Sequence, residues 1–457
     1  MVHAMRTLRG LLTVSSCVGA FAAAAAAQTP VEKANKALQA AEALLAKGAY
    51  SKAVEAYADI AKKWPTTEAG VRAQFRTQQN TCLGRVPLQV TGRRENRIDV
   101  VIMGDGYTLD HLNEFADVGK SVPKNMGNDP VLDEYAGYHN FWLAPVRSKE
   151  DGIDGFGRTY DTALNGAMLQ GRDEQATVDH GAVKNMLTSI DETDGLAVVF
   201  VRAGHLGTGG GGVAVIGGRE DNTVIHEWGH AFAGLGDEYV DKVHRGTTGM
   251  CANVSNTDDP KKVPWRHWLE IKAPMIGIYE GAAGMQRGAW KPTASGCVME
   301  SGRYYCPVCR EALVLEMYRR VDPIDGCKPP AGTPLVAGPD GATVEFSLLK
   351  PKTHGLELRV WVLPAGTEPP ATAETPGDRG KRGPLPKIDA IAAQATPNAR
   401  ATERVVLVTR GLKPGGYVVV ARVTDDTKVP RDTLPWVIKD DRGVLQSERR
   451  WNLVVPN

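Results

Sequence analysis

The run TVIHEWGHAFAGLGDEYVD, residues 223 to 241, constrains this chain more than any other stretch. It reads as a helix from about Thr223 to Leu235, capped by Asp221 or Asn222. Residues four apart in a helix share one face, about 6 Å apart along the axis. His226 and His230 can therefore offer two imidazole nitrogens to one ion at the roughly 2 Å that zinc requires. Glu227 points to the side of that pair, where it can act as general base on a water in an open metal position without becoming a ligand. The plainer reading, a helix with satisfied core histidines, leaves the glycine exit and the following carboxylates unexplained.

A zinc ion that activates water usually keeps three protein ligands, so a third is expected. Asp237 lies seven residues past His230, and on a continuous helix it would be roughly 10 Å further along the axis. The chain must turn back, and Gly234 and Gly236 permit this because glycine tolerates the left-handed conformations that end helices. Either Asp237 or Glu238 could then meet the metal. Asp237 is preferred, since a short side chain suits a tight return and leaves Glu238 to brace a ligand histidine. Tyr239 and Tyr304 or Tyr305 are candidate donors to a developing oxyanion, although core packing explains any single tyrosine as well. The strand GVAVIGG before the helix could pair with an extended peptide as an added strand, or be an ordinary sheet strand. The tetraglycine Gly209 to Gly212 lacks the Lys and Ser or Thr of a phosphate loop and reads as a lip of a cleft.

The chain has 457 residues, 42% hydrophobic and 23% charged, which suits two or three globular domains. Residues 1 to 27 follow a secretory pattern: Arg6 and Arg9, an apolar stretch from Leu11 to Phe21, and alanines up to a cleavage point after Ala27. The apolar core is too short to span a bilayer, so no transmembrane segment is expected. Lipid attachment at Cys17 is a rival to cleavage. The mature protein would be periplasmic or extracellular. Losing two arginines from 54 basic residues leaves 52 against 53 acidic ones, a formal charge of −1. Such balance gives no electrostatic reason to bind nucleic acid. Six cysteines remain, Cys82, Cys251, Cys297, Cys306, Cys309 and Cys327. Export favours disulfides, with Cys306 and Cys309 taking different partners, over a four-thiolate zinc site made by Cys251, Cys297, Cys306 and Cys309.

Residues 28 to 80 read as a helical hairpin similar to one tetratricopeptide-type repeat, with Gly48 between the helices and Pro65 stopping the second. One repeat cannot bury its own face, so it must pack on its neighbour or a protein partner. Residues 86 to 328 alternate buried strands such as RIDVVIMGDGYT and GLAVVFVRAG with helices, an α/β arrangement. Residues 329 to 457 carry short β-rich runs separated by turn residues, expected to form an immunoglobulin-like β-sandwich. A Pro- and Ala-rich segment, 367 to 402, is expected to be a mobile loop.

HEWGHAFAGLGDEY, with DVVIMGDGYT upstream and CVMESGRYYCPVCREAL downstream, resembles the IgA peptidase family of bacterial secreted zinc metallopeptidases over roughly residues 86 to 321. The resemblance implies a metzincin-like catalytic domain acting on protein or peptide substrates, Glu227 as general base, and a turn bearing Met299 as an apolar floor below the metal. The usual metzincin run places its glycine three and its third ligand six residues after the second histidine; here Gly234 and Asp237 sit one further on. A different class of function remains as a rival: a surface binding protein whose zincin core is catalytically silent and whose hairpin and sandwich face a partner.

Overall fold

The computed structural model describes residues 28–169, 172–192, 194–203, 207–217, 221–241, 249–370, 381 and 383–457. The secretory stretch and Cys17 lie outside them.

Three helices come first: α1 (Pro30–Ala46), α2 (Tyr50–Lys63) and α3 (Glu68–Arg76). Thr29 and Glu32 cap α1 reciprocally, fixing its start. Pro65 ends α2 as expected, but Thr67 then accepts from the Gly70 amide and starts a third helix that a two-helix reading had missed. Their apolar faces, including Ala34, Leu38, Leu45, Tyr57, Ile60 and Ala73, join one cluster with Leu83 and Ile98 of the neighbouring region. Tyr57 donates to the Leu83 carbonyl at 2.9 Å.

A short antiparallel pair, β1 (Thr81–Cys82) with β5 (Val146–Arg147), leads into the central sheet. That sheet holds β2 (Val86–Gln89), β3 (Ile98–Asp105), β4 (His139–Ala144), β8 (Ala197–Val201), β9 (Thr208–Gly210) and β10 (Val213–Ile216), in the order β2-β4-β3-β8-β10-β9. The four inner strands are parallel and both edges run antiparallel. Alternation along β3 sorts its residues by face. Val100 and Ile102 join the cluster on the side of α4 (Leu112–Gly119), while Val101 and Met103 face α7 (His180–Ser189). Between them lie α5 (Val122–Met126), α6 (Pro130–Glu134) and the pair β6 (Ala167–Leu169) and β7 (Arg172–Thr177). GVAVIGG is not an edge: its strand, β10, lies between β8 and β9. The edge is β9, which uses the first two residues of the tetraglycine.

Helix α8 (Asp221–Ala233) packs on the α4 side and carries the histidines. It starts two residues earlier than its periodicity suggested, so Asp221 and Asn222 fall in its first turn. After it come α9 (Arg266–Glu270), the hairpin β11 (Tyr279–Ala282) and β12 (Met285–Lys291), and α10 (Pro307–Arg320).

The remaining strands are β13 (Ile324–Lys328), β14 (Leu335–Val336), β15 (Ala342–Leu348), β16 (Leu356–Pro364), β17 (Gln394–Ala399), β18 (Thr402–Leu407), β19 (Gly415–Thr424) and β20 (Gln446–Val455). They form two sheets, β13-β15-β18 and β14-β20-β19-β16-β17, which share a core of Val344, Phe346, Leu358, Val360, Val419 and Trp451. The segment 367 to 402 is not one loop, because β17 inside it pairs with β16. Trp361 explains the departure: it donates to the Ala390 carbonyl at 3.1 Å and packs with Ile388 and Ala392, holding a sequence too polar to show a period.

A buried polar knot ties these sheets to the α/β region. His354 bonds Glu134 at 2.8 Å and Asp425 at 2.9 Å, and Tyr135 and Tyr318 donate to Asp425 at 2.9 and 2.6 Å. Burial alone would lower the pKa of His354, but its bonds to Asp425 and Glu134 raise it to about 9. It is therefore a charged histidine between two carboxylates, the pairing a buried charge requires.

Candidate metal and catalytic site

Gly234 ends α8 with φ +63°, and the Leu235 amide reaches back to the Gly229 carbonyl at 3.2 Å, a helix-ending turn that suits glycine. Gly236 is needed for a different reason. A Cβ there would stand 2.7 Å from Val254 and 3.0 Å from the Cys251 sulfur. The two glycines let the chain fold back, and Asp237 returns to the histidines.

Asp237 Oδ1 stands 3.2 Å from His226 Nε2 and 3.0 Å from His230 Nε2, and the two Nε2 atoms are 3.1 Å apart. Each histidine commits its other nitrogen: His226 Nδ1 to the Val298 carbonyl at 2.8 Å, His230 Nδ1 to the Leu235 carbonyl at 2.6 Å. A carbonyl can only accept, so each Nδ1 carries the proton and each Nε2 turns a lone pair inward. Three lone-pair atoms this close repel unless a proton or cation lies among them. Ligands at zinc distances on a tetrahedron stand roughly 3.3 Å apart, so the donors fit such an ion in type and spacing. The same tension appears in their titration. Burial opposes charge on His230, but its hydrogen bond to Asp237 and that carboxylate's charge lift it to about 8; His226 is raised by the same bond. Burial would raise Asp237, yet the two histidines hold it well below the usual carboxylate range.

Glu227 lies close to these donors, with a carboxylate oxygen within 4.8 Å of a nitrogen of each histidine. It is 6% exposed, and burial pushes its pKa up to about 7 although both histidines pull it down, which poises it to take a proton near neutrality. The edge strand β9 lies directly on it. A Cβ on Gly209 would fall 2.4 Å from the Glu227 carbonyl oxygen, 2.8 Å from His230 Cβ and 3.0 Å from Glu227 Oε2. Gly209 is thus required by the close approach of β9 to α8, in a run whose sequence reads as a lip of a cleft.

Met299 is fully buried with its sulfur 2.7 Å from where a Cβ on Gly229 would stand, so it packs closely against α8. Tyr239 stacks on His226, ring centroids 6.2 Å apart, and hydrogen-bonds Asp237. Tyr305 is buried with its hydroxyl bonded to the Ile225 carbonyl, so it braces α8 and offers no donor to a ligand. Tyr304 is 40% exposed under Arg303.

Glu238 does not brace a histidine. Adjacent backbone positions send side chains apart, and its carboxylate turns to Asn253 at 2.9 Å, Thr293 at 3.2 Å and the Cys309 thiol at 3.2 Å. The cysteines also depart from expectation. All six are free thiols. Cys297, Cys306 and Cys309 gather around Glu238, whereas Cys251 bonds Asn253 at 3.3 Å and stays outside that group. Three thiols at one carboxylate cannot all pair with one another, and Cys297 and Cys309 are 3.7 Å apart.

Residues 86–275, which include the central sheet, α8 and the return to Asp237, match the model of the family IgA Peptidase M64. Over this region the chain is similar to the IgA peptidase family. That likeness supports a peptidase of the metallopeptidase type, with protein or peptide as substrate. No curated protein matches the chain. The match ends before Met299 and the Cys297 to Cys309 run. Among the described residues no helix is long and apolar enough to cross a membrane.

Proposed function

We propose that this IgA peptidase relative is an exported, zinc-dependent endopeptidase in which His226, His230 and Asp237 hold the ion and Glu227 is the general base. The observation that carries this reading is the convergence of two tautomer-fixed Nε2 atoms and one carboxylate oxygen within 3.0–3.2 Å, beside a buried glutamate. When bound, zinc would polarise the substrate carbonyl and acidify a water. Glu227 is placed to accept a proton from the attacking water and to pass it to the leaving amide nitrogen. Val298 and Leu235 hold the imidazoles in orientation, and Tyr239, against both His226 and Asp237, supports the ring and carboxylate. Among the described residues the outer edge of β9 has no strand partner, which suits an extended peptide chain laid beside Glu227 by backbone hydrogen bonds.

Within this reading residues 1–27 are the export signal, 86–328 the catalytic domain, and 329–457 an immunoglobulin-like accessory sandwich. Residues 28–80 form a helical brace rather than a partner-binding repeat, since their apolar face is covered by the catalytic domain. The test is to incubate the purified chain with denatured protein and count new amino termini before chelation, after chelation and after zinc is restored. Termini that appear, vanish and reappear support the enzyme; zinc binding with no new termini supports the silent binding protein.

A further inference from the structure

A second cluster of donors lies back to back with the first. Sγ of Cys297, Cys306 and Cys309 and a carboxylate oxygen of Glu238 all fall within 4.8 Å of one another, and all four residues are buried. Cys297 and Cys309 sulfurs are 3.7 Å apart, and Glu238 Oε1 is 3.2 Å from Cys309 and 3.9 Å from Cys306. Ligands around tetrahedral zinc at about 2.3 Å for sulfur and about 2.0 Å for oxygen stand roughly 3.5–3.8 Å apart, so these separations surround one ion-sized space.

We propose that Glu238, Cys297, Cys306 and Cys309 form a closed structural zinc site. Three soft thiolates select zinc over magnesium or calcium, and four buried protein donors leave no open position for water or substrate, the mark of a structural rather than a catalytic site. The surroundings suit the charge it would carry. Asn253 and Thr293 donate to the Glu238 carboxylate, Lys291 Nζ lies 2.7 Å from the Glu238 carbonyl, and the Cys306 amide donates to the Cys297 sulfur at 3.4 Å. Cys306 precedes α10 and Cys309 lies in its first turn, where the positive end of the helix favours anions. Binding would displace the thiol protons to solvent without redox change.

The placement gives the ion a task. Glu238 follows Asp237, and Cys297 precedes Val298, whose carbonyl holds His226. The Glu238 amide also donates to the Met299 carbonyl at 2.7 Å. One ion would therefore clamp the returning segment after α8 to the turn beneath it, fixing two supports of the first site from behind.

The test uses the full chain purified under reducing conditions, with His226→Ala/His230→Ala to empty the first site. Wild type should carry two equivalents of zinc and the double variant one. Reconstituted with cobalt(II), the double variant should show intense thiolate-to-cobalt charge-transfer absorption, which His and Asp ligands do not give. Cys309→Ser added to it should remove that equivalent, while Cys251→Ser should keep it. A metal-free double variant, a cobalt form without sulfur bands, or two thiols lost to a disulfide with no metal retained would overturn the site. Because the first site is absent from the double variant, these readouts are independent of whether the chain is a peptidase.

Discussion

Asp237 and Glu238 are neighbours in sequence and opposites in setting. Asp237 turns to two histidines in a site whose side chains keep 14–28% exposure, whereas Glu238 is fully buried among thiols. The first cluster offers three nitrogen and oxygen donors and a base beside an open strand edge. The second offers four donors and no access. One peptide unit thus separates an arrangement suited to acting on a passing substrate from one suited to holding the chain in place.

The contrast can be broken most severely at the histidines. His226→Ala/His230→Ala should lower peptide hydrolysis roughly 10⁴-fold or more, measured with a quenched peptide substrate, while thermal unfolding changes far less than in a variant of the thiol cluster. Acidity should separate the two settings next. Below about pH 8 the metal-free site holds on His230 a proton that an incoming ion must displace, so its zinc affinity should fall as pH falls. Chelator competition should record a drop of roughly 10- to 100-fold between pH 8 and pH 6; an affinity that rises on acidification would break the assignment of His230. A milder change is Gly209→Ala, whose Cβ would stand 2.4 Å from the Glu227 carbonyl and must displace β9. Its kcat/KM should drop about 10-fold with zinc content unchanged. The smallest effect belongs to Thr293→Val, which removes a donor to Glu238. It should cost about 1–3 kcal/mol in denaturant unfolding and leave kcat alone.

What the sequence made legible follows the range of the interactions involved. His226, Glu227 and His230 could be read as one unit because helical spacing fixes their relation locally, and Gly234 announced the turn. The choice between Asp237 and Glu238 needed the destination of each side chain, and only Asn253, Thr293 and the three cysteines, 15 to 71 residues further on, reveal where Glu238 goes. The cysteines misled for a related reason: export weighs towards disulfides, but pairing is decided by tertiary geometry, which left six free thiols. The tetraglycine was taken for a lip because glycine-rich runs lack a strand signal, although close approach to Glu227 is what demands glycine in β9. Likewise α3, nine residues starting at a threonine cap after Pro65, was too short to carry its own period. The β-rich alternation from residue 342 onward was plain, but β17 was hidden in Pro-rich sequence.

The most direct test of the central assignment is Glu227→Gln, which keeps the size of the side chain and leaves all three converging donors in place. Wild type and variant, matched for zinc content, should be digested side by side against a peptide library. The expected result is equal zinc and a loss of about 10²- to 10⁴-fold in cleavage rate for the variant. Equal rates from both proteins would contradict the role of Glu227, and with it the reading of this helix as the seat of catalysis.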